Sequence, residues 1–273
     1  MAKNAKNLRV IKKLSNLDNM RNLCALLHVD EVVAKFEGAS GKQTKTATAD
    51  SMLHLAHIHI SNGNSKIGKC YNWSLTPLLS CTEEACRTCG QEGCYACSSY
   101  RQYPDCRAAW DENFLWVILN LPKWETLMVK WLSVFRPDKF RIHVAGDFCT
   151  LEYALAWKRI ILAFPETRFF GFTKQWDIVR QAKFYECPNF KLRLSAWTGV
   201  NLPLDLMLRY PVAWVDDGIE TRIPADTFVC PGNCDVCNYY CANSDGATVF
   251  HKHGSDLVQG NRRTAERMLA KAS

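Results

Sequence analysis

The run Phe140-Arg141-Ile142-His143-Val144-Ala145-Gly146-Asp147-Phe148 reads as a buried strand ending in a polar turn, and Thr150 stands where it can cap a helix over 151–164. The pattern then repeats. Strands are expected over Thr167–Lys174, Phe190–Trp197 and Val212–Asp217, with helices near Trp176–Tyr185 and Pro203–Arg209 between them. A β-α repeat of roughly twenty to thirty residues implies a parallel sheet with right-handed crossovers. The expected fold is α/β: a partial or distorted parallel β/α barrel, with an open α/β sheet as the alternative.

In parallel sheets ligands gather beyond the carboxyl ends of the strands. That rule selects Gly146, Asp147, Thr173, Lys174, Trp197, Asp216 and Asp217 as a candidate rim. Asp147 and Lys174 are the candidate catalytic pair, and Gly146, Thr173 and Trp197 the candidate cofactor contacts. Taken singly, each is also an ordinary turn or cap residue; their shared position is the argument.

Fourteen cysteines are present, and nine fall in two short windows. Cys230, Cys234, Cys237 and Cys241 are spaced x3, x2, x3 around Pro231, Gly232 and Asn233, which supply tight, irregular backbone. Four thiols this close suit one metal ion or cluster. An iron-sulfur cubane fits the compact spacing better than zinc, which usually takes two short knuckles across a longer gap. Disulfides are the lesser alternative, since staples spread cysteines over distant loops. Upstream, Cys81, Cys86, Cys89, Cys94 and Cys97 are spaced x4, x2, x4, x2. A subset of these, Cys81, Cys86, Cys89 and Cys94 foremost, can close a second site. Following the fourth strand, the Cys230 loop is expected to land on the same rim as Asp147.

Residues 51–273 read as one α/β domain carrying both cysteine sites (81–97 and 230–241), and 1–50 as a basic helical arm. The arm holds nine Lys or Arg against five acids, in a chain of 273 residues with net charge +7. This balance suits phosphates, so a nucleotide or nucleic acid is a candidate partner. His57 and His59 would share a strand face and are candidate ligands, hydrogen-bonded surface residues being the commoner outcome. Residues 61–68 read as a polar turn before a strand over 69–75. The aromatic-rich stretch from Tyr103 to Phe135 reads as helices broken at Pro122, its rings core rather than a stacking platform. A last strand is expected over 246–254 and a basic helix over 257–272. No run of about eighteen apolar residues occurs, so no membrane span and a cytoplasmic location are expected.

The order Gly63-Asn64-Ser65-Lys66, Trp73-Ser74-Leu75, Cys94-Tyr95-Ala96, His143 to Phe148, Phe172-Thr173-Lys174 and the Cys230–Cys241 loop resembles the gene-product eighty-eight family of phages and mobile elements, over roughly residues 60–255. That family is uncharacterised and implies no activity. A cysteine loop before β-α units is similar, more distantly, to the radical S-adenosylmethionine enzymes. This likeness implies a four-iron four-sulfur cluster, one or two in number, with S-adenosylmethionine as a candidate cofactor. The x3, x2 spacing of that superfamily occurs here only at Cys230, Cys234 and Cys237, near the opposite end of the chain.

Overall fold

A computed structural model describes residues 58–77, 79–82 and 94–251. The expected N-terminal arm, His57, Cys86, Cys89 and the last helix lie outside them. β1 (Ser61–Asn64) and β2 (Gly68–Trp73) form an antiparallel hairpin: β2 is the strand expected over 69–75, and β1 lies in the stretch read as a turn. Three helices follow: α1 (Tyr95–Gln102), α2 (Pro104–Leu119) and α3 (Leu121–Phe135). Pro122 sits in the first turn of α3, where its missing N–H costs nothing, so it starts a helix as much as it breaks one. Asn120 caps that helix by accepting from Lys123 N at 3.2 Å.

Strands and helices then alternate as the periodicity demanded: β3 (Lys139–Ile142), α4 (Leu151–Ala163), β4 (Arg168–Thr173), α5 (Trp176–Ala182), β5 (Phe190–Ala196), α6 (Leu204–Met207) and β6 (Val212–Asp216). Thr150 caps α4, its hydroxyl oxygen accepting from Tyr153 N at 3.1 Å. Two short elements, β7 (Phe228–Val229) and α7 (Tyr240–Asn243), precede the last strand, β8 (Thr248–His251).

The strands form one sheet in the order β1-β2-β3-β4-β5-β6-β8-β7, parallel everywhere except the hairpin. From β2 to β6 the order follows the chain. With right-handed crossovers, that winding puts the helices on one face. Among the described residues β1 and β7 are the two ends of the ladder, so a closed barrel is not seen.

Alternation assigns the side chains. Trp73, Phe140, Ile142, Phe169, Leu192 and Leu194 point to the helices and join Trp124, Trp157 and Ile160 in the main core. Their neighbours Cys70, Lys139, Arg141, Arg168, Phe170, Phe172, Lys191 and Arg193 share the second face, as the registers Asn72–Arg141–Phe170–Lys191 require.

The sheet also curls. Cys230 N donates to Val249 O on β8 at 2.9 Å, and Cys234 N donates to Lys66 O in the first hairpin at 2.8 Å. Four residues reach at most about 14 Å. The strands from β2 to β8 would span about 24 Å if laid flat. Only a sheet bent around the loop lets one short segment touch both edges.

Candidate functional site

Gly146, Asp147, Thr173 and Lys174 meet at the ends of β3 and β4. Gly146 has φ +80°, and a Cβ there would fall 2.5 Å from Ser80 Oγ and 2.9 Å from the Leu75 carbonyl oxygen. Only glycine lets the turn pass so close. Asp147 is buried, with both carboxylate oxygens engaged. Oδ1 accepts from Phe148 N at 2.8 Å and Thr173 Oγ1 at 2.7 Å, and Oδ2 accepts from Lys174 N at 2.7 Å. Burial pushes its carboxyl above the usual carboxylate range, while the Lys174 charge and these donors pull it down. Lys174 Nζ lies 5.9 Å from the Trp197 ring centre, and Trp176 stacks on Trp197 at 6.4 Å. Five of the seven rim residues, Gly146, Asp147, Thr173, Lys174 and Trp197, therefore come together, and Asp147 cross-links two strand ends. Asp216 and Asp217 behave as turn residues, accepting from Gly218 N at 3.0 Å and from Ile219 N at 2.9 Å.

The described members of the first cysteine group lie against this rim. The Tyr95 hydroxyl donates to the Val144 carbonyl, which seats the start of α1, with Cys94 and Cys97, on the turn after β3. Cys81 and Asp147 both act electrostatically on the buried Cys149. His59 is bonded to Glu112 on α2, the surface role that the sequence left as its commoner outcome.

His143 was not picked out from the sequence. Alternation would send its side chain to the second face beside Arg141, but φ +60° reverses it onto Phe148 and Tyr153 on the helix side. Its Nε2 lies 2.8 Å from the Tyr153 hydroxyl. That hydroxyl already accepts from Trp73 Nε1 at 2.9 Å, and indole can only donate. Nε2 and the Tyr153 hydroxyl share one hydrogen bond, and the other ring nitrogen, Nδ1, is buried without a partner. Burial drives this imidazole down to about 3, so it stays neutral.

The Cys230 loop departs from the expected rim position. It leaves the end of β7 and folds back over the second face. Cys234 and Cys241 pack with Cys70, Phe170, Phe172, Tyr239 and Ala242. Arg193, fully buried on β5, anchors the loop's far side: Nη1 donates to the Cys241 carbonyl at 2.5 Å, and Nη2 to those of Ser244 at 2.8 Å and Gly246 at 3.1 Å. Arg168 donates to Asn243 Oδ1 at 2.5 Å and Lys191 pairs with Asp245 at 2.6 Å. Lys139 Nζ sits 4.3 Å over the Tyr239 ring. The hairpin accommodates the loop at Gly68, where a Cβ would lie 2.3 Å from Asp235 Oδ1 and 2.5 Å from the Tyr239 hydroxyl.

Cys230, Cys234, Cys237 and Cys241 are free thiols, as is Cys70 beneath them. Burial pushes the Cys234 thiol up to about 12 and Cys70 up to about 11. The Arg141 charge opposes that rise at Cys70, Cys230, Cys234 and Cys241 alike. In donor chemistry the four loop thiols suit a thiophilic metal or cluster. In placement they do not yet converge: no group of three or more His, Cys, Asp or Glu among the described residues is arranged to hold a metal ion. Room for rearrangement exists at Gly232, whose φ is +79° and around which a Cβ would meet nothing within 4 Å.

Fold and site together define a singly wound α/β protein with a thiol-rich loop folded over the open face of its sheet. The chain belongs to the gene product 88 family, whose model matches residues 36–222. The match takes in the first cysteine group and the Asp147 rim and stops before the Cys230 loop, a shorter reach at that end than the sequence suggested. No curated protein and no solved structure matches the chain. Among the described residues no helix is long and apolar enough to cross a membrane.

Proposed function

We propose that this chain binds a metal centre through Cys230, Cys234, Cys237 and Cys241, a four-iron four-sulfur cluster ahead of zinc. The observation that carries the reading is four free thiols in twelve residues, acting on one another electrostatically over a cation-bearing sheet face. A cluster supplies one-electron redox chemistry; zinc supplies folding stability alone. The chain's own part is to draw the loop together, to shield it with Phe170, Phe172 and Tyr239, and to hold its far end through Arg193. Binding has to bring the thiols closer than they stand, which couples the metal to the folding of the loop.

A second reading adds catalysis at the rim. The described cysteines of the first group gather beside Asp147, so an upstream cluster there would face Lys174 and Trp197. Single-direction winding and a curled sheet are features of a partial barrel, the scaffold on which S-adenosylmethionine would serve as cofactor. A nucleotide or nucleic acid is then the substrate class, and, for a phage or mobile-element protein, the host cytoplasm its place of action. Anaerobic purification with iron, sulfide and zinc analysis, and electron paramagnetic resonance of the reduced protein with and without S-adenosylmethionine, separates the readings. Iron with sulfide in near-integer ratio supports the first, and a signal that shifts with the cofactor supports the second. Zinc without sulfide makes the loop a folding device, and a chain that binds neither metal sinks both.

A further inference from the structure

Among the described residues five cations line the second face of the sheet, and the loop engages four of them. Lys191 has Asp245, Arg168 has Asn243, Arg193 has three carbonyls, and Lys139 has the Tyr239 ring. Arg141 is the remainder. Its guanidinium lies 5.1 Å from the Phe172 ring centre, and its Nε, like that of Arg193, is buried without a hydrogen-bond partner. It sits in the row Asn72–Arg141–Phe170, and Phe170 packs with Cys234 and Cys241 of the loop. Its charge reaches Cys70, Cys230, Cys234 and Cys241.

A half-buried guanidinium with an idle N–H and, among the described residues, no ion pair is costly unless an anion faces it. Thiols do not supply one; thiolates around a metal do. Four thiolates on Zn²⁺, or on a four-iron four-sulfur core of charge +2, carry a net charge of −2, which burial penalises in turn. The two costs cancel if they meet.

We propose that Arg141 is the positioning residue of the thiol centre: its guanidinium donates N–H bonds to the ligand sulfurs and offsets the charge of the filled site. This rests on the metal-centre reading above. Hydrogen bonds and cations at sulfur favour the more reduced, more negative state of a cluster and hold the ligands in place.

The test uses the full chain loaded with metal, comparing the wild type with Arg141→Gln, which removes the charge, and Arg141→Lys, which keeps the charge but loses the planar fork. Chelator competition measures affinity, and redox titration followed by electron paramagnetic resonance measures the midpoint potential. Arg141→Gln is expected to weaken metal binding about 10–100-fold, as loss of an outer partner does elsewhere, and to move a cluster's potential to more negative values. Arg141→Lys is expected to restore the potential and only part of the affinity. If Arg141→Gln does not fold, a Lys variant with wild-type affinity overturns the fork, and one with a strongly lowered potential overturns the charge. Wild-type affinity and potential in Arg141→Gln overturn the proposal outright. A wild-type chain that takes up no metal overturns the centre itself and this role with it, a result the variants cannot imitate.

Discussion

Trp124 and Arg193 are both fully buried, one on each face of the sheet, and they are held in unlike ways. Trp124 lies among rings, 5.0 Å from Tyr153, 5.2 Å from Trp157 and 5.6 Å from Trp73. Apolar burial of that kind is non-directional and tolerates small shifts. Arg193 is held by three carbonyls of a loop that has little regular structure of its own, so its burial depends on that loop staying in place. The helix face can form from the β-α units alone. The second face is complete only when a distant segment, some fifty residues further along the chain, has folded back over it.

The largest expected effect tests the independence of the helix face. Trp157→Ala removes a ring packed on Trp124, Phe140, Tyr153 and Phe169 and should destabilise the protein by about 3–5 kcal/mol. The loss should be equal with and without a chelator, read by urea unfolding. A loss that grows when metal is present would mean the two faces are coupled through the sheet, and the contrast would fail.

His143 gives a second, pH-dependent way to probe the helix side. Its folded value of about 3 lies below the ordinary histidine value of about 6.5, so the unfolded chain takes up a proton that the folded protein refuses. Stability from this source is complete above 6.5 and falls as pH drops through that value toward 3. The loss is about 1.4 kcal/mol per pH unit, hence about 2 kcal/mol by pH 5. His143→Gln should flatten this acid limb between pH 6.5 and pH 4 in unfolding experiments. An unchanged slope would assign the acid sensitivity to other groups.

His143 also marks where sequence reading stopped. Strands β3 to β6 and the Thr150 cap were legible because period-two alternation and a capping hydroxyl are local signals. The turn Gly146-Asp147 and its partners Thr173 and Lys174 were legible through one topological rule about strand ends. His143 was not, because its side chain is redirected by a single positive φ that no residue type at that position announces. The path of the Cys230 loop was missed for a different reason. The rule that placed it on the rim follows the chain, whereas its destination is set by cations on alternate positions of β3, β4 and β5. That signal was present as Lys139/Arg141, Arg168/Phe170/Phe172 and Lys191/Arg193: charged residues on one side of strands whose other side is apolar. A polar second face of a parallel sheet asks for a cover, and the cysteine loop is what this chain folds over it.

Gly68 tests how closely that cover must fit. Its φ is +61°, and a methyl group there meets the Asp235 carboxylate and the Tyr239 hydroxyl, which are themselves bonded at 3.0 Å. Gly68→Ala should cost about 1–2 kcal/mol from the left-handed backbone alone. Because the clash falls on the loop, protease cleavage within 230–241 should accelerate and metal affinity should drop, with the helix face unaffected. Faster cleavage throughout the chain would show that the loop's seat is part of the global fold.

The smallest effect is expected at Lys191, two residues from Arg193 on the same strand and against the same loop. Its ion pair with Asp245 is short, 2.6 Å, but the Asp245 side chain is 79% exposed. Water and salt screen such a pair, and ordering two mobile side chains offsets most of the Coulomb gain. Lys191→Ala should therefore cost less than about 1 kcal/mol, and raising the ionic strength should erase even that. Arg193 differs because its side chain is fully buried and donates to three backbone carbonyls, so removing it breaks three bonds at once. Unfolding of Lys191→Ala at low and high salt checks the distinction. A large, salt-resistant loss would show that the loop is held at its exposed margin as firmly as at its buried anchor, and that the second face is covered by a distributed network of charges.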